Sequence, residues 1–232
     1  MSLPASRNQP VMSPYSAWVI LNSASRRGAV RGRVTSVDLY WLPLAAGEAL
    51  GIGRMSGRVF EAIAARRQKR DVCDLYHSAL RVRLRDDAFV IEMTPAWGNK
   101  QTVRGVVREG AVGAHWLGHA RFFRYEVRRW RSGVIPDEAY AVGDPSHIDT
   151  DDQRTRRLLE LVSEFPAATW GRDELRTGEM WNSNSLTAWL LARSGHDTDH
   201  ITMPLLGRAP GWKAGLIVAA RPLPALTPVV MG

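Results

Sequence analysis

From Leu75 to Leu84 the chain alternates, with Leu80, Val82 and Leu84 at one set of positions and Arg81, Arg83 and Arg85 at the other. Successive side chains of a strand point to opposite faces, so this pattern predicts a strand with one face turned to a core. Asp86-Asp87 is a tight-turn pair, and Phe89-Val90-Ile91-Glu92-Met93 reads as the return strand of a hairpin. Such a hairpin constrains the fold more than anything else in the chain. It commits this region to an antiparallel sheet and decides which side chains can meet across it.

Other segments extend the pattern. Val34 to Leu44, with Val37, Leu39, Trp41 and Pro43 in alternation, predicts a strand that comes before the hairpin. Phe122 to Trp130 predicts one after it, with Phe123, Tyr125 and Val127 on one face and Arg124, Glu126 and Arg128 on the other. Shorter strands are expected at Val103–Val107 and Leu216–Ala219. Helical spacing predicts a helix over Gly57–Gln68, another from Asp151-Asp152 through Val162, and a third entered from Trp181. Strands first and helices later indicate an α+β domain over residues 34–232. Residues 1–33 carry no sustained period and read as a poorly ordered leader.

Composition narrows the function classes. The chain has 232 residues, is 45% hydrophobic, and carries a formal net charge of +8. That charge comes from scattered arginines, with lysine only at Lys69, Lys100 and Lys213, and no nucleic-acid-binding motif accompanies it, so no nucleic-acid partner is expected. The single cysteine, Cys73, excludes an internal disulfide and suits a reducing compartment, so the expected location is cytoplasmic. No apolar run has the length of a membrane span. No cofactor is implied. His115 with His119, and His196 with His200, have the four-residue spacing of metal ligands, but Gly118 and Gly195 interrupt a helix there and neither pair has an identifiable third ligand.

The stretch Trp181-Asn182-Ser183-Asn184-Ser185-Leu186 places small polar residues at a helix start. A hydroxyl there stands in the positive end of the helix dipole, which favours a developing oxyanion, although an ordinary N-cap explains the same residues. His77 and Glu92 lie on adjacent hairpin strands. Either the carboxylate orients the imidazole as a general base, or Glu92 faces solvent at an edge.

Taken together, His77 at the head of a strand, Glu92 within Phe89-Val90-Ile91-Glu92 and the distant Asn182–Leu191 helix start resemble the circularly permuted papain-like hydrolases, NlpC-type and YiiX-like. The phrases around Val37–Leu44, Arg124–Trp130 and Gly207–Trp212 are also similar to those of an uncharacterised bacterial family. The resemblance implies a permuted papain-like fold, with an antiparallel sheet packed against the helix that carries the nucleophile position. It matches His77 to the family histidine, Glu92 to the acidic residue and Ser183 to the nucleophilic cysteine. A serine stands where the family has cysteine, and a hydroxyl depends more on its base than a thiol does.

The implied function is a hydrolase or acyltransferase acting on an amide or ester bond of a small-molecule, peptide or lipid substrate. Ser183 would attack, His77 would relay the proton, and Trp181, Asn182, Asn184 and Arg208 would serve the oxyanion or substrate. Cys73 is an alternative thiol. The contrasting expectation is a catalytically inactive binding protein that retains the cleft.

Overall fold

The structure, a computed structural model, describes residues 35–44, 73–96, 105–205 and 207–222, all within the unit Val34–Gly232. The expected helix over Gly57–Gln68 and the leader to Arg33 lie outside the described residues.

The hairpin is present. Strand β1 (Ser36–Pro43) pairs antiparallel with β2 (Asp74–Leu84), which pairs antiparallel with β3 (Asp87–Pro95). The turn is Arg85-Asp86, one residue earlier than the aspartate pair suggested, with Arg85 at φ +58°. Asp87 instead pairs with Leu84 and is held by Arg131 of a later strand. That strand, β5 (Arg124–Arg131), lies between β3 and β4 (Val106–Ala111), and a short β6 (Ser146–Ile148) flanks β1. The order is therefore β4-β5-β3-β2-β1-β6, with a two-residue β7 (Gly207–Arg208) parallel to the start of β2.

One face of the sheet carries the main core. Val37, Leu39 and Trp41 of β1, Leu80 and Val82 of β2, Ile91 and Met93 of β3, and Tyr125 and Val127 of β5 share it with the helices. Helix α1 (Asp152–Leu161) is capped by Asp151, whose carboxylate accepts from Arg154 N–H at 2.8 Å. Helix α2 (Ser183–Arg193) is buried from Ser183 to Leu191, so its apolar stripe widens into an all-round core helix. The expected final strand is instead helix α3 (Trp212–Ala219). It begins after Gly211 at φ +89° and brings Gly215 against the backbone of Ser185 in α2, so its short apolar run meets a helix and not a sheet edge.

The opposite face of the sheet holds a smaller cluster of Tyr40, Leu42, Ala79, Val90 and Ile135. Glu126 and Arg128 of β5 lie on this face, opposite Tyr125 and Val127 as alternation predicts, and they are as buried as the residues on the core face. No described helix is long and apolar enough to cross a membrane.

Candidate functional site

Strands β2 and β3 stay paired only from Leu84↔Asp87 to Leu80↔Ile91. Beyond that point β3 continues along β5 to Pro95, while β2 continues along β1 to Tyr76. The sheet opens between them, and the N-terminus of α2 occupies the opening. Leu75 C=O accepts from Leu44 N–H on the β1 side, so Tyr76 C=O, one residue on, points to the open side. There Asn184 Nδ2 donates to it at 2.9 Å, and Asn184 Oδ1 accepts from Ser78 Oγ at 2.9 Å. A side-chain amide thus replaces the missing strand and satisfies buried groups that would otherwise be costly to leave unpaired.

The same residues cap the helix. Asn182 Oδ1 accepts from the N–H groups of Asn184 (2.9 Å) and Ser185 (3.3 Å), while Ser185 Oγ accepts from Asn182 N–H (3.1 Å). This reciprocal pair is a capping box. Asn182 Nδ2 and Asn184 Nδ2 both donate to Pro210 C=O, tying the start of α2 to the loop before α3. Asn182 and Asn184 are therefore spent on structure, and the Asn184 N–H expected to stabilise an oxyanion already has an acceptor. Trp181 is core as well: it stacks on Phe165 with centroids 4.8 Å apart and donates from Nε1 to Pro166 C=O. Arg208 stands on β7 beside Leu75, two residues before His77.

The grip of Asn184 on Tyr76 and Ser78 sets His77 beside the N-terminus of α2. Its side chain, however, leaves the sheet on the other face, because its cross-strand partner is Leu42 of the smaller cluster. Burial alone pulls the imidazole down to about 4, so it is neutral near pH 7. Glu92 lies on that same face, but neither edge-facing in solvent nor against His77. Its direct partner across the β3–β5 ladder is Arg128, and Arg128 Nη1 donates to Glu92 Oε1 at 2.9 Å. Arg128 also grips Glu126 through Nε (3.1 Å) and Nη2 (2.9 Å). The side chains of Arg128 and Glu126 are 2% exposed and that of Glu92 is 11% exposed. Desolvation still raises the Glu92 carboxyl, opposed by the Arg128 charge and hydrogen bond.

Ser183, Oγ included, takes no part in the hydrogen bonds of the cap. No hydrogen bond among the described residues joins Ser183 to His77 or His77 to Glu92. Nearby, Trp41 packs on Trp212 and is paired in register with Ser78, yet its buried Nε1–H has no acceptor among the described residues. The alternative thiol, Cys73, lies half-buried just before β2.

The histidine pairs separate. His196 is buried and bonded to Ser194 Oγ (2.7 Å) and Thr150 Oγ1 (2.8 Å), whereas His200 is exposed against Asp197. His115 and His119 are exposed at the two ends of one 3₁₀ turn. Among the described residues no three His, Cys, Asp or Glu side chains come together as a metal site.

The Glu92–Arg128–Glu126 cluster was not foreseen. Its one sequence signal was the Glu126–Arg128 spacing, which puts opposite charges on one strand face. No protein-family model, curated protein or solved structure matches the chain.

Proposed function

We propose that this chain is a non-catalytic binding protein on a circularly permuted papain-like frame, holding a small-molecule, peptide or lipid ligand at the corner where α2 enters the sheet. One observation carries the reading: Glu92 is committed to Arg128 and leaves His77 without an orienting carboxylate. The physical consequences agree with it. A base whose conjugate acid has a pKa of about 4 is a weak acceptor for a serine proton, since general bases work best with a pKa near the working pH. The capping box has also used the Asn184 N–H that would have met an oxyanion. Ser183 Oγ and Trp41 Nε1 remain as hydrogen-bonding groups for a ligand acceptor.

The test is covalent labelling by a fluorophosphonate probe, read by intact mass, on wild type, Ser183→Ala and His77→Ala. No adduct on the folded wild type is expected. An adduct at Ser183 that disappears in both variants would establish an activated serine and restore the hydrolase or acyltransferase reading. Native mass spectrometry supplies the positive arm: a bound species of small-molecule mass, lost in a folded Ser183→Leu variant.

A further inference from the structure

The segment between β4 and β5 runs His115-Trp116-Leu117-Gly118-His119-Ala120-Arg121-Phe122-Phe123 and contains no acidic residue. It folds as two consecutive 3₁₀ turns, His115–His119 and Arg121–Phe123, with no buried residue in either. Trp116 is 71% exposed, Phe122 55% and Phe123 36%. Large aromatic side chains normally supply core area, as Trp41, Trp181, Trp189 and Trp212 do here. Three on one surface loop mark an interaction surface.

The loop is held firmly. Val112 N–H donates to Phe123 C=O at 2.8 Å and closes its ends, and Gly113 is fixed by Trp170 C=O and by Arg172 Nε. Leu117, Ala120 and Phe123 N–H groups each donate within the turns. Gly118 lies so close to β4 that a Cβ would meet the Ala111 Cβ at 2.9 Å. The aromatic side chains are thus presented on ordered backbone, which lowers the ordering cost of inserting them into a partner.

Charge indicates the partner. Arg121 is exposed among the aromatic residues, Arg124 follows, and Arg172 adjoins Gly113. Glu109 is already paired with Arg124 at 2.6 Å, and Glu174 is bonded to Thr169. The chain as a whole carries +8.

We infer that the Trp116–Arg121–Phe122–Phe123 loop docks on the surface of an anionic lipid bilayer, with the aromatic rings at headgroup depth and the arginines on lipid phosphates and carboxylates. Tryptophan and phenylalanine flanked by arginine suit that interface, where one side is apolar and the other wet and negative. A single-stranded nucleic acid fits less well. Phe122 and Phe123 pack edge to face on each other, 5.3 Å between centroids, and do not form separate platforms for successive bases.

The experiment is co-sedimentation of the full chain with phosphatidylcholine vesicles carrying about 30% phosphatidylserine, and with phosphatidylcholine alone. Binding to the anionic vesicles only is expected, weakened about tenfold or more in Trp116→Ser and again in Arg121→Glu. Both side chains are exposed, so thermal unfolding of the variants should match wild type. Absence of vesicle binding, equal binding to the two vesicle types, or unchanged binding in both folded variants overturns the inference. So does capture of a labelled single-stranded oligonucleotide that the same variants abolish while vesicles stay unbound, which would make the loop a nucleic-acid surface.

Discussion

Replacing Arg128 by methionine removes the guanidinium that joins two buried carboxylates. In the native chain one guanidinium satisfies Glu92 at 2.9 Å and Glu126 at 2.9 and 3.1 Å, with the Arg128 and Glu126 side chains 2% exposed. A well-formed buried ion cluster adds little net stability over an apolar packing, but stripping one partner leaves charge uncompensated at a cost of about 3–5 kcal/mol. In a domain of this size that lowers the melting temperature by about 6–20 °C. The loss should depend on pH with a definite sign. Glu92 already has a raised carboxyl pKa, and losing Arg128 raises it further. A raised carboxyl contributes stability that is present below its unfolded value and lost as pH rises through the folded one. Arg128→Met should therefore be closer to wild type at pH 5 than at pH 8, and Glu92→Gln in the Arg128→Met background should recover part of the deficit at pH 8. Urea and thermal unfolding followed by circular dichroism at the two pH values measure all three effects. An Arg128→Met variant within about 1 kcal/mol of wild type at pH 8 would refute the reasoning, because the carboxylates would then have to be solvated.

Two further expectations follow from the α2 corner. With the His77 imidazole pulled down to about 4 against 6.5 unfolded, its contribution is fully present above pH 6.5 and is lost as pH falls toward 4. The total is up to about 3 kcal/mol, so His77→Gln should flatten the stability profile across that window, and the His77 ring signals in an NMR titration should stay constant down to about pH 5. Gly211→Ala places a Cβ at φ +89° against Asn182 Oδ1, the atom that caps α2. Strain and the damaged cap together should cost about 2–3 kcal/mol in urea unfolding, and a substitution that leaves the midpoint unchanged would show that the loop relaxes away from the cap.

Local chemistry determined much of this molecule. Alternation in Leu75–Met93 specified a hairpin and its two faces, because side-chain direction in a strand depends only on position. The Asn182–Ser185 phrase specified a capped helix start, since its bonds span three residues. The sequence also placed His77 and Glu92 on adjacent strands. What it left open was the partner each would take. Glu92 had two neighbours to choose from, β2 and whatever strand lay on its other side. Only the assembled sheet put Arg128 of β5 directly opposite it, at hydrogen-bonding distance, while β2 parted from β3 before reaching His77. The same non-local pairing buried Arg128, whose face alternation had given but not its burial, and packing against α2 made a helix of the short apolar run at Leu216–Ala219. Periodicity is a property of neighbours along the chain. Which strands and helices come to lie beside one another is decided by burial and pairing between distant segments, and at this site that choice separated the carboxylate from the histidine.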